Sequence, residues 1–408
     1  MNTRRLSIVG RGARGETSLT GNTMTRTQKN GDDTVRGKVG LTARGRKLLS
    51  HLRVAQDKSK LDDFGLPSEL IEHMVQSGFL ELQDETMPPI DYQDDFAGWK
   101  SQRGMLIDHI RTLAFQDAIM AVVQPGDRVV DVGTGSGILA MLAARQGAAE
   151  VYALEVTDMA SWAARIAEKN GLSAVRVLRG DAAAFKAPGP VDVIMGEFAG
   201  MYFLEEWRHY AAFAEVRDRT LRPGGAVIPR AARLYLSAID SRKLYRERGY
   251  GFWESPVYGL DFSDVLEAEI AAPRRYIISA DHNATVCTRE IAAFDFLTGT
   301  ERDYFFTTDI EFPYAVAGSF HGFIGHFELD MAVGKVLSTG TAERETCWHH
   351  SYFPVPCIQV PAGSRVAARV RTFIEPEGNL MCIGLTIAGP NEMLDGAVVR
   401  NEHVYVLE

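Results

Sequence analysis

The sequence predicts an α/β domain of the Rossmann-like type, preceded by a small α+β unit and followed by a β-rich domain. Strand-like and helix-like segments alternate between residues 129 and 196, which is typical of parallel βαβ units. Strand-like segments dominate from residue 231 onward. A chain of 408 residues also exceeds the length of one ordinary core, which favours two or three domains.

Composition restricts the class of protein. The hydrophobic fraction of 46% and the charged fraction of 24% are those of a soluble globular protein, and no apolar run is long enough to cross a membrane. The N-terminal arginines have no apolar stretch after them, so a secretory signal is not expected. The four cysteines lack paired spacing, which indicates a reducing cytoplasm. The His and Cys residues also lack the spacing of metal ligands, so no metal site is predicted.

Charge divides the chain unevenly. Residues 1–60 contain 14 Lys and Arg against 4 Asp and Glu, whereas the rest of the chain contains 30 against 49. An acidic body suits a cationic substrate, and the basic arm could contact an acidic peptide or nucleic acid. Most basic tails are only solvated, so nucleic acid is not the expected partner.

The N-terminal part is predicted to contain two segments. Residues 1–33 are rich in Gly, Thr and Arg and are expected to form a flexible basic segment with at most a short strand at LSIV. Residues 34–88 show the order strand, helix, helix and strand, which resembles a winged-helix unit. Such units bind DNA, form dimers or, in peptide-modifying enzymes, capture a leader peptide. A helical cap without a ligand is the alternative.

A glycine-rich turn opens the α/β domain. In VVDVGTGSGILA, Gly133, Gly135 and Gly137 follow a strand and lead into a helix, so that a ligand can approach the main chain. Glu155 ends the next strand, where an acid typically accepts the ribose hydroxyls. Ile138 stands where the dinucleotide pattern requires glycine, so the spacing favours S-adenosyl-L-methionine. Two more acids in phase with the strands complete the predicted cofactor site, Asp131 and Asp181.

Two glutamates flank a tight loop farther along this domain. In MGEFAGMYFLEEW, Glu197 follows a buried strand and Glu206 lies nine positions later, with Gly200 between them to let the chain bend back. Such carboxylates form a fork for a planar cation, and the guanidinium of arginine matches carboxylates two at a time. A solvated acidic loop is the alternative for an isolated pair, but the neighbouring cofactor loop favours the fork.

Together these motifs resemble the protein arginine methyltransferases, over about three quarters of the chain from residue 92 onward. VVDVGTGSGILAMLAARQGA is similar to the family's first motif, and MGEFAGMYFLEEW to its double-glutamate loop. The resemblance implies a Rossmann-like class I methyltransferase domain at residues 89–230, a β-barrel substrate domain at 231–408 and a dimerisation arm at about 239–265. It also implies a homodimer, S-adenosyl-L-methionine as cofactor, and the two loop glutamates as catalytic residues.

The resemblance assigns further residues to the site. Arg111 falls where the family binds the cofactor carboxylate, and Met105 where a methionine narrows the substrate pocket. Tyr92 matches the first tyrosine of the family's YFxxY pattern, also on the substrate side. Gln93 and Phe96 replace the phenylalanine and the second tyrosine of that pattern.

The largest departure lies in TCWHHSYFP, which resembles the family's THW loop. Cys347 stands where the family has a histidine that pairs with an aspartate matching Asp108, so half of that pair is lost. Trp348 is retained, and either His349 or His350 could compensate. These changes alter the substrate side of the site and leave the cofactor side intact.

The sequence therefore predicts an S-adenosyl-L-methionine-dependent arginine N-methyltransferase. The altered substrate motifs slightly favour free arginine or a small arginine derivative, and a composition rich in Ala, Arg and Gly indicates a bacterial enzyme of specialised metabolism. One alternative is a peptide or protein arginine methyltransferase that captures its substrate with the N-terminal unit. Another is a DNA-binding regulator with an inactive methyltransferase body.

Overall fold

The computed structural model describes residues 98–408 apart from 201, 267–273, 277, 279–284, 333, 376–379, 391, 395–401 and 408, together with the backbone of six strands before residue 98. The chain divides into two compact units, Met1–Asp91 and Tyr92–Glu408. In the part of the chain that is described, no helix has the length and hydropathy needed to cross a membrane.

The first unit contains two three-stranded antiparallel sheets. Their central strands are β1 and β3, and the six strands are β1 (Arg5–Ile8), β2 (Glu16–Thr20), β3 (Thr23–Asn30), β4 (Asp33–Gly40), β5 (Gln56–Asp57) and β6 (Leu80–Gln83). β1 overlaps the strand expected at LSIV, but β2 and β3 also lie within residues 1–33, so the expectation of at most one short strand in that segment was wrong. The two helices expected in this unit lie outside the described residues, so the winged-helix assignment and the domain boundaries stay predictions.

Five parallel strands form the sheet of the α/β domain, in the order β11, β10, β7, β8 and β9. These strands are β7 (Arg128–Val132), β8 (Glu150–Glu155), β9 (Val175–Arg179), β10 (Val191–Gly196) and β11 (Leu221–Ile228). β7 is followed by β8 on one side and has β10 on the other, so the strand order reverses between β7 and β10. Ligands of such sheets bind at this point, outside the carboxyl ends of the strands.

Five helices in the described chain belong to this domain: α1 (Trp99–Ile107), α2 (His109–Val122), α3 (Ile138–Gln146), α4 (Met159–Lys169) and α5 (Trp207–Thr220). Their apolar faces follow the helical repeat. In α2, Phe115, Ala118 and Ile119 recur at this spacing and are fully buried. The alternation of strands and helices expected from the sequence is confirmed.

Antiparallel strands form the β-rich domain. One sheet has the order β13, β18, β16, β12 and β14, with β17 beside β16, and the other has the order β15, β19, β20 and β21. The strands are β12 (Ala231–Ile239), β13 (Arg274–Tyr276), β14 (Thr285–Asp295), β15 (Thr307–Tyr314), β16 (Gly318–Asp330), β17 (Val336–Ser338), β18 (His350–Val360), β19 (Ser364–Ile374), β20 (Met381–Ala388) and β21 (Glu402–Leu407). In β15, Ile310, Phe312 and Tyr314 are buried while the residues between them face outward, as a half-buried strand requires. The predicted barrel-like domain is confirmed.

An insertion between β12 and β13 corresponds to the segment expected as a dimerisation arm. It contains α6 (Arg242–Arg248), α7 (Tyr250–Trp253) and a 3-10 turn (Ser263–Val265). Two of its aromatic residues are open to solvent, since Tyr258 is 100% and Phe252 44% exposed, whereas Tyr245 and Tyr250 are buried. Phe252 packs on Trp253, and contiguous exposed apolar surface is typical of sites that bind a partner.

Candidate active site

A cavity of about 580 Å³ lies at the carboxyl edge of the parallel sheet. Its volume is that of a typical small-molecule site, roughly 300–1,000 Å³. The loops after β7, β8 and β10 contribute to its wall, together with α1, α2 and a loop of the β-rich domain. The predicted site residues that line it are Met105, Arg111, Gly133, Gly135, Glu155, Asp181, Glu197, Glu206, Cys347 and Trp348.

The loop between β7 and α3 depends on its glycines. Gly133, Gly135 and Gly137 have φ values of +73°, +53° and +84°, in the left-handed region that other residues rarely adopt. A side chain at Gly135 would meet the carboxamide of Gln102 at 2.8 Å, and one at Gly137 would meet Ala163 of α4 at 3.2 Å. Gly137 therefore lets α3 and α4 pack closely, whereas Gly133 and Gly135 present bare backbone to the cavity.

Asp131 lies behind this loop and not in the cavity wall. Its Oδ2 accepts hydrogen bonds from Oγ1 of Thr134 at 2.5 Å and from the N–H of Ala140 at 3.1 Å. Only 1% of Asp131 is exposed, and this burial raises its pKa to about 7. Asp131 therefore connects the glycine loop to the first turn of α3 and supports the site from behind.

Two carboxylates follow neighbouring strands at the cavity. Glu155 ends β8, and its carboxylate accepts hydrogen bonds from the N–H groups of Gly135 and Thr157, each at 2.8 Å. Asp181 follows β9 and accepts a hydrogen bond from the N–H of Ala183 at 2.9 Å. These backbone bonds fix both carboxylates at the edge of the sheet, where a ligand in front of the glycine loop would meet them.

The loop between β10 and α5 is held by aromatic packing. Tyr202 and Phe203 have φ values of 51° and 64°, which are uncommon for bulky residues, so their surroundings must hold the turn. Phe203 is fully buried and stacks on Tyr304 with a ring separation of 5.4 Å. The hydroxyl of Tyr202 donates to the carbonyl of Tyr235 at 2.9 Å. Since Tyr235 and Tyr304 belong to the β-rich domain, that domain fixes the conformation of the loop.

Gly200 lets the same loop fold back on itself. A Cβ atom at this position would lie 2.6 Å from Cγ of Glu206 and 2.5 Å from Oε2 of Glu205, so a larger residue would displace them. Glu206 is 7% exposed and ends a 3-10 turn (Leu204–Glu206) that leads into α5. Its Oε2 contacts Nδ1 of His209. The glycine thus allows Glu206 to reach the cavity wall.

Arg111 and Glu197 form a buried ion pair in this wall. Nε and Nη2 of Arg111 lie 3.0 and 2.5 Å from Oε2 of Glu197, and Oε1 of Glu197 accepts a hydrogen bond from the N–H of Ala199 at 2.8 Å. The side chains are only 6% and 11% exposed. Burial lowers the pKa of the guanidinium, but the charge and hydrogen bond of Glu197, together with the charges of Cys347 and Asp108, outweigh this effect, and the pKa rises above its ordinary value. Glu197 is therefore already oriented toward a guanidinium, that of the protein's own arginine.

Two family models match the second unit. One, described as a methyltransferase domain, matches residues 129–225, and the other, described as an arginine methyltransferase oligomerization subdomain, matches residues 230–376. Protein arginine N-methyltransferase 1.1 of Arabidopsis thaliana is 32% identical over 276 residues, covering 66% of this chain and 70% of the relative. Protein arginine N-methyltransferase 1 of Schizosaccharomyces pombe is 32% identical over 301 residues, covering 71% of this chain and 86% of the relative. The chain belongs to the protein arginine N-methyltransferase family.

Solved structures of arginine methyltransferases share this fold. The Trypanosoma brucei PRMT1 enzyme–prozyme heterotetrameric complex with AdoHcy has a TM-score of 0.68 at 23% identity, covering 77% of this chain and 100% of that chain. Protein arginine methyltransferase 10 of Arabidopsis thaliana has a TM-score of 0.65 at 25% identity, covering 77% and 99%. With family membership, they confirm the predicted Rossmann-like and barrel-like domains. The prediction of an S-adenosyl-L-methionine-dependent arginine methyltransferase is also confirmed.

The groups around the cavity fit S-adenosyl-L-methionine, the cofactor of this arginine methyltransferase. A Cβ atom at Gly133 would meet no atom within 4 Å, so a nucleoside can approach the backbone there. The ribose hydroxyls of a bound nucleoside would meet the carboxylate of Glu155, and Asp181 lies one strand farther out. Arg111 is the only Lys or Arg among the described lining residues, so it is the cation that the cofactor carboxylate would meet.

Asp108 links the helices of this methyltransferase to the loop that carries Cys347. Its Oδ1 accepts a hydrogen bond from the N–H of Arg111 at 2.9 Å and caps α2, while its Oδ2 accepts one from the N–H of Cys347 at 2.7 Å. Asp108 is 5% and Cys347 1% exposed. The histidine side chain that the family resemblance implies is absent here, but the backbone of Cys347 keeps the aspartate attached to the loop.

The replacement of histidine by Cys347 removes a proton acceptor from the cavity. Burial raises the pKa of the Cys347 thiol well above its ordinary value, and the charge of Arg111 opposes this only in part. The side chain of His349 does not line the cavity, and Nδ1 of His350 accepts a hydrogen bond from the N–H of Ile278 at 3.2 Å. Neither histidine therefore compensates for the change at the cavity wall.

Trp348 and Tyr92 were also predicted on the substrate side, but the structure describes only Trp348. Trp348 is 3% exposed and lies under Arg111, whose guanidinium carbon is 5.9 Å from its ring centroid. It thus supports the arginine that pairs with Glu197. Tyr92 lies outside the described residues.

Two residues at the cavity were not predicted from the sequence. Oε1 of Gln102 in α1 accepts a hydrogen bond from the N–H of Ser136 at 2.9 Å, which holds α1 against the glycine loop. His209 contacts Glu206 and lines the cavity. The spacing of three residues between Glu206 and His209 at the start of a helix could have indicated this contact, because residues at this spacing share a helix face.

Proposed function

We propose that this enzyme methylates arginine residues of a peptide or protein, with S-adenosyl-L-methionine as the methyl donor. The observation that supports it most is that Glu197 and Glu206 both line the cavity that contains the glycine loop. The curated relatives are named protein arginine N-methyltransferases, which favours a peptide or protein substrate. Free arginine, which the altered sequence motifs slightly favoured, becomes the second candidate.

The charges at the cavity also favour a peptide. Free arginine would bring an α-carboxylate into the site and would need a second cation to bind it. Among the described lining residues, Arg111 is the only Lys or Arg, and it is held by Glu197 and assigned to the cofactor carboxylate. A peptide bond in place of the α-carboxylate removes this requirement.

In this proposal the two glutamates hold and polarise the guanidinium of the substrate. The free pKa of arginine is above 12, so the group arrives protonated and is a poor nucleophile. Glu197 and Glu206 bind its N–H groups, draw the positive charge toward themselves and leave one nitrogen free to attack. Fixed orientation alone can lower a barrier by roughly 7–11 kcal/mol.

The cofactor-side residues complete this arrangement. When bound, S-adenosyl-L-methionine supplies an electrophilic methyl group. Glu155 and Asp181 hold the nucleoside end, Gly133 and Gly135 let it approach the backbone, and Arg111 binds the carboxylate end while orienting Glu197. Met105 and Trp348 both line the cavity and lie close to the guanidinium of Arg111. In this proposal they provide the apolar surface beside the guanidinium of the substrate.

The substrate class can be tested with matched methyl acceptors. The purified full chain is incubated with S-adenosyl-L-methionine and one of three acceptors: a glycine-rich peptide with one arginine, the same peptide with lysine at that position, or free arginine. We expect a mass increase of one or more methyl groups on the arginine peptide, located on the guanidinium by fragmentation. Methylation of free arginine in preference to the peptide would overturn the peptide proposal, and no methylated guanidinium would overturn both candidates.

We also propose that two copies associate through the arm at residues 239–265. The exposed Phe252 and Tyr258 support this, as does the match of residues 230–376 to an oligomerization subdomain.

Light scattering is expected to give twice the chain mass of 45.0 kDa. Replacing both aromatics by aspartate should yield monomers, because buried aromatic anchors often contribute more than about 2 kcal/mol to an interface. V316D, at a residue 75% exposed outside the arm, is the control; a monomeric wild type would contradict the proposal.

A further inference from the structure

A histidine outside the predicted site connects Glu206 to solvent. His209 lies in the first turn of α5, and its Nδ1 contacts Oε2 of the Glu206 carboxylate. The side chain lines the cavity and is 60% exposed, whereas that of Glu206 is 8% exposed. A proton taken up by the buried carboxylate therefore has a route outward through this ring.

Among the side chains that line the cavity, His209 is the one suited to carry a proton from Glu206 to solvent. It is the only histidine among the described residues that line the cavity, and the buried thiol of Cys347 stays neutral at ordinary pH. Both oxygens of Glu197 are engaged, one by Arg111 and the other by the N–H of Ala199. Glu206 is therefore better placed than Glu197 to accept the reaction proton.

We infer that His209 is a positioning residue that relays the reaction proton from Glu206 to solvent, an inference that rests on the proposed function. When the attacked nitrogen gains a methyl group, the guanidinium must lose one proton. Glu206 accepts this proton on a carboxylate oxygen and transfers it to Nδ1 of the neutral imidazole. This transfer restores the carboxylate. The imidazolium then releases its Nε2 proton to water, which restores the neutral imidazole, and exchange with water returns the starting tautomer.

The electrostatic surroundings of the ring agree with this role. Partial desolvation lowers the pKa of His209 below its ordinary value, and the charges of Glu197, Glu155 and Glu205 oppose that shift. The imidazole is therefore neutral at pH 7 and able to accept a proton. The same carboxylates, together with Glu206, stabilise the imidazolium that forms during the relay.

The H209Q variant separates a relay from a purely structural contact. Glutamine can hydrogen-bond Glu206 but cannot carry the proton. In the wild type, the steady-state kcat should fall as pH decreases through the pKa of His209, because the imidazolium cannot take the proton that Glu206 must release before the next turnover. H209Q should lose this inflection and roughly 10²-fold in rate near pH 8, with unchanged KM for the peptide. The control H403Q places the same substitution in β21, away from the cavity, and should keep the wild-type rate and pH profile.

A second measurement does not depend on turnover. In enzyme labelled with 13C at Cε1 of histidine, the signal missing from H209Q identifies His209, and its pKa is followed by titration. Removing the adjacent charge in E206Q should lower that pKa by about 1. An equal pKa in the wild type and E206Q, or a wild-type rate and pH profile in H209Q, would overturn the relay. If the wild type methylates no guanidinium, the proposed function fails, and the titration still decides whether His209 and Glu206 are coupled.

Discussion

Replacing Glu206 by glutamine is expected to lower kcat for methylation of an arginine peptide by about 10²–10⁴-fold, the usual contribution of a general base. The E206Q variant keeps the shape of the side chain but loses the negative charge that attracts the guanidinium and accepts its proton. Affinity for S-adenosylhomocysteine should stay close to that of the wild type, because in the proposed function Glu206 contacts the substrate and not the cofactor. Steady-state kinetics and calorimetric titration give the two quantities.

The matched control for this variant is E215Q, which makes the same exchange on α5. Glu215 is partly exposed and pairs with Arg219 at 2.9 Å, so its loss should leave kcat unchanged. A kcat for E206Q equal to that of E215Q would exclude Glu206 as a base. Glu197 is less suitable for this test, since E197Q would also leave Arg111 without its carboxylate.

The R111M variant is expected to lose both cofactor affinity and stability. It leaves the carboxylate of Glu197 buried without a cation, and removal of one partner of a buried pair typically costs about 3–5 kcal/mol. Because the pair borders a cavity that solvent can enter, the lower end of that range is expected here. Urea unfolding measures the loss in the free energy of unfolding, and binding of S-adenosylhomocysteine should weaken through loss of the contact with its carboxylate.

Two further variants test whether the loss in the free energy of unfolding comes from the broken ion pair. R165M removes an exposed arginine that lies over Trp162 at 4.8 Å and should change the free energy of unfolding little. The double variant R111M/E197M removes both charges and should recover much of the lost stability without recovering activity. If R111M were as stable as R165M, the ion pair would have no structural role.

Local pattern was sufficient to predict much of this molecule. The strand alternation and the turn at Gly133, Gly135 and Gly137 are visible because both depend on residues close in sequence. The spacing of Glu197 and Glu206 around Gly200 is equally local, and the structure brings both carboxylates to one cavity. The contact of Glu206 with His209 also has a local signal, at a spacing of three residues in the first turn of α5.

Contacts between distant segments could not be predicted in the same way. Arg111 and Glu197 are 86 positions apart, and the sequence assigned one to the cofactor and the other to the substrate. Their ion pair arises only when α2 packs beside the end of β10. Asp108 and Cys347 are 239 positions apart. Their hydrogen bond uses the backbone N–H of Cys347, and because nearly every residue type has this group, the sequence does not indicate the bond. The cysteine at position 347 therefore predicted that the contact with Asp108 is lost, whereas in the folded chain the backbone N–H of Cys347 maintains a hydrogen bond to that aspartate.

The stacking of Phe203 on Tyr304 couples the two domains. The loop that carries the two glutamates owes its conformation to rings of the β-rich domain, including Phe294 at 5.1 Å and Phe296 at 5.6 Å from Phe203. The two domains are therefore not exchangeable parts. A foreign barrel would have to supply matching rings as well, so the β-rich domain and the loop that carries the two glutamates form one structural unit.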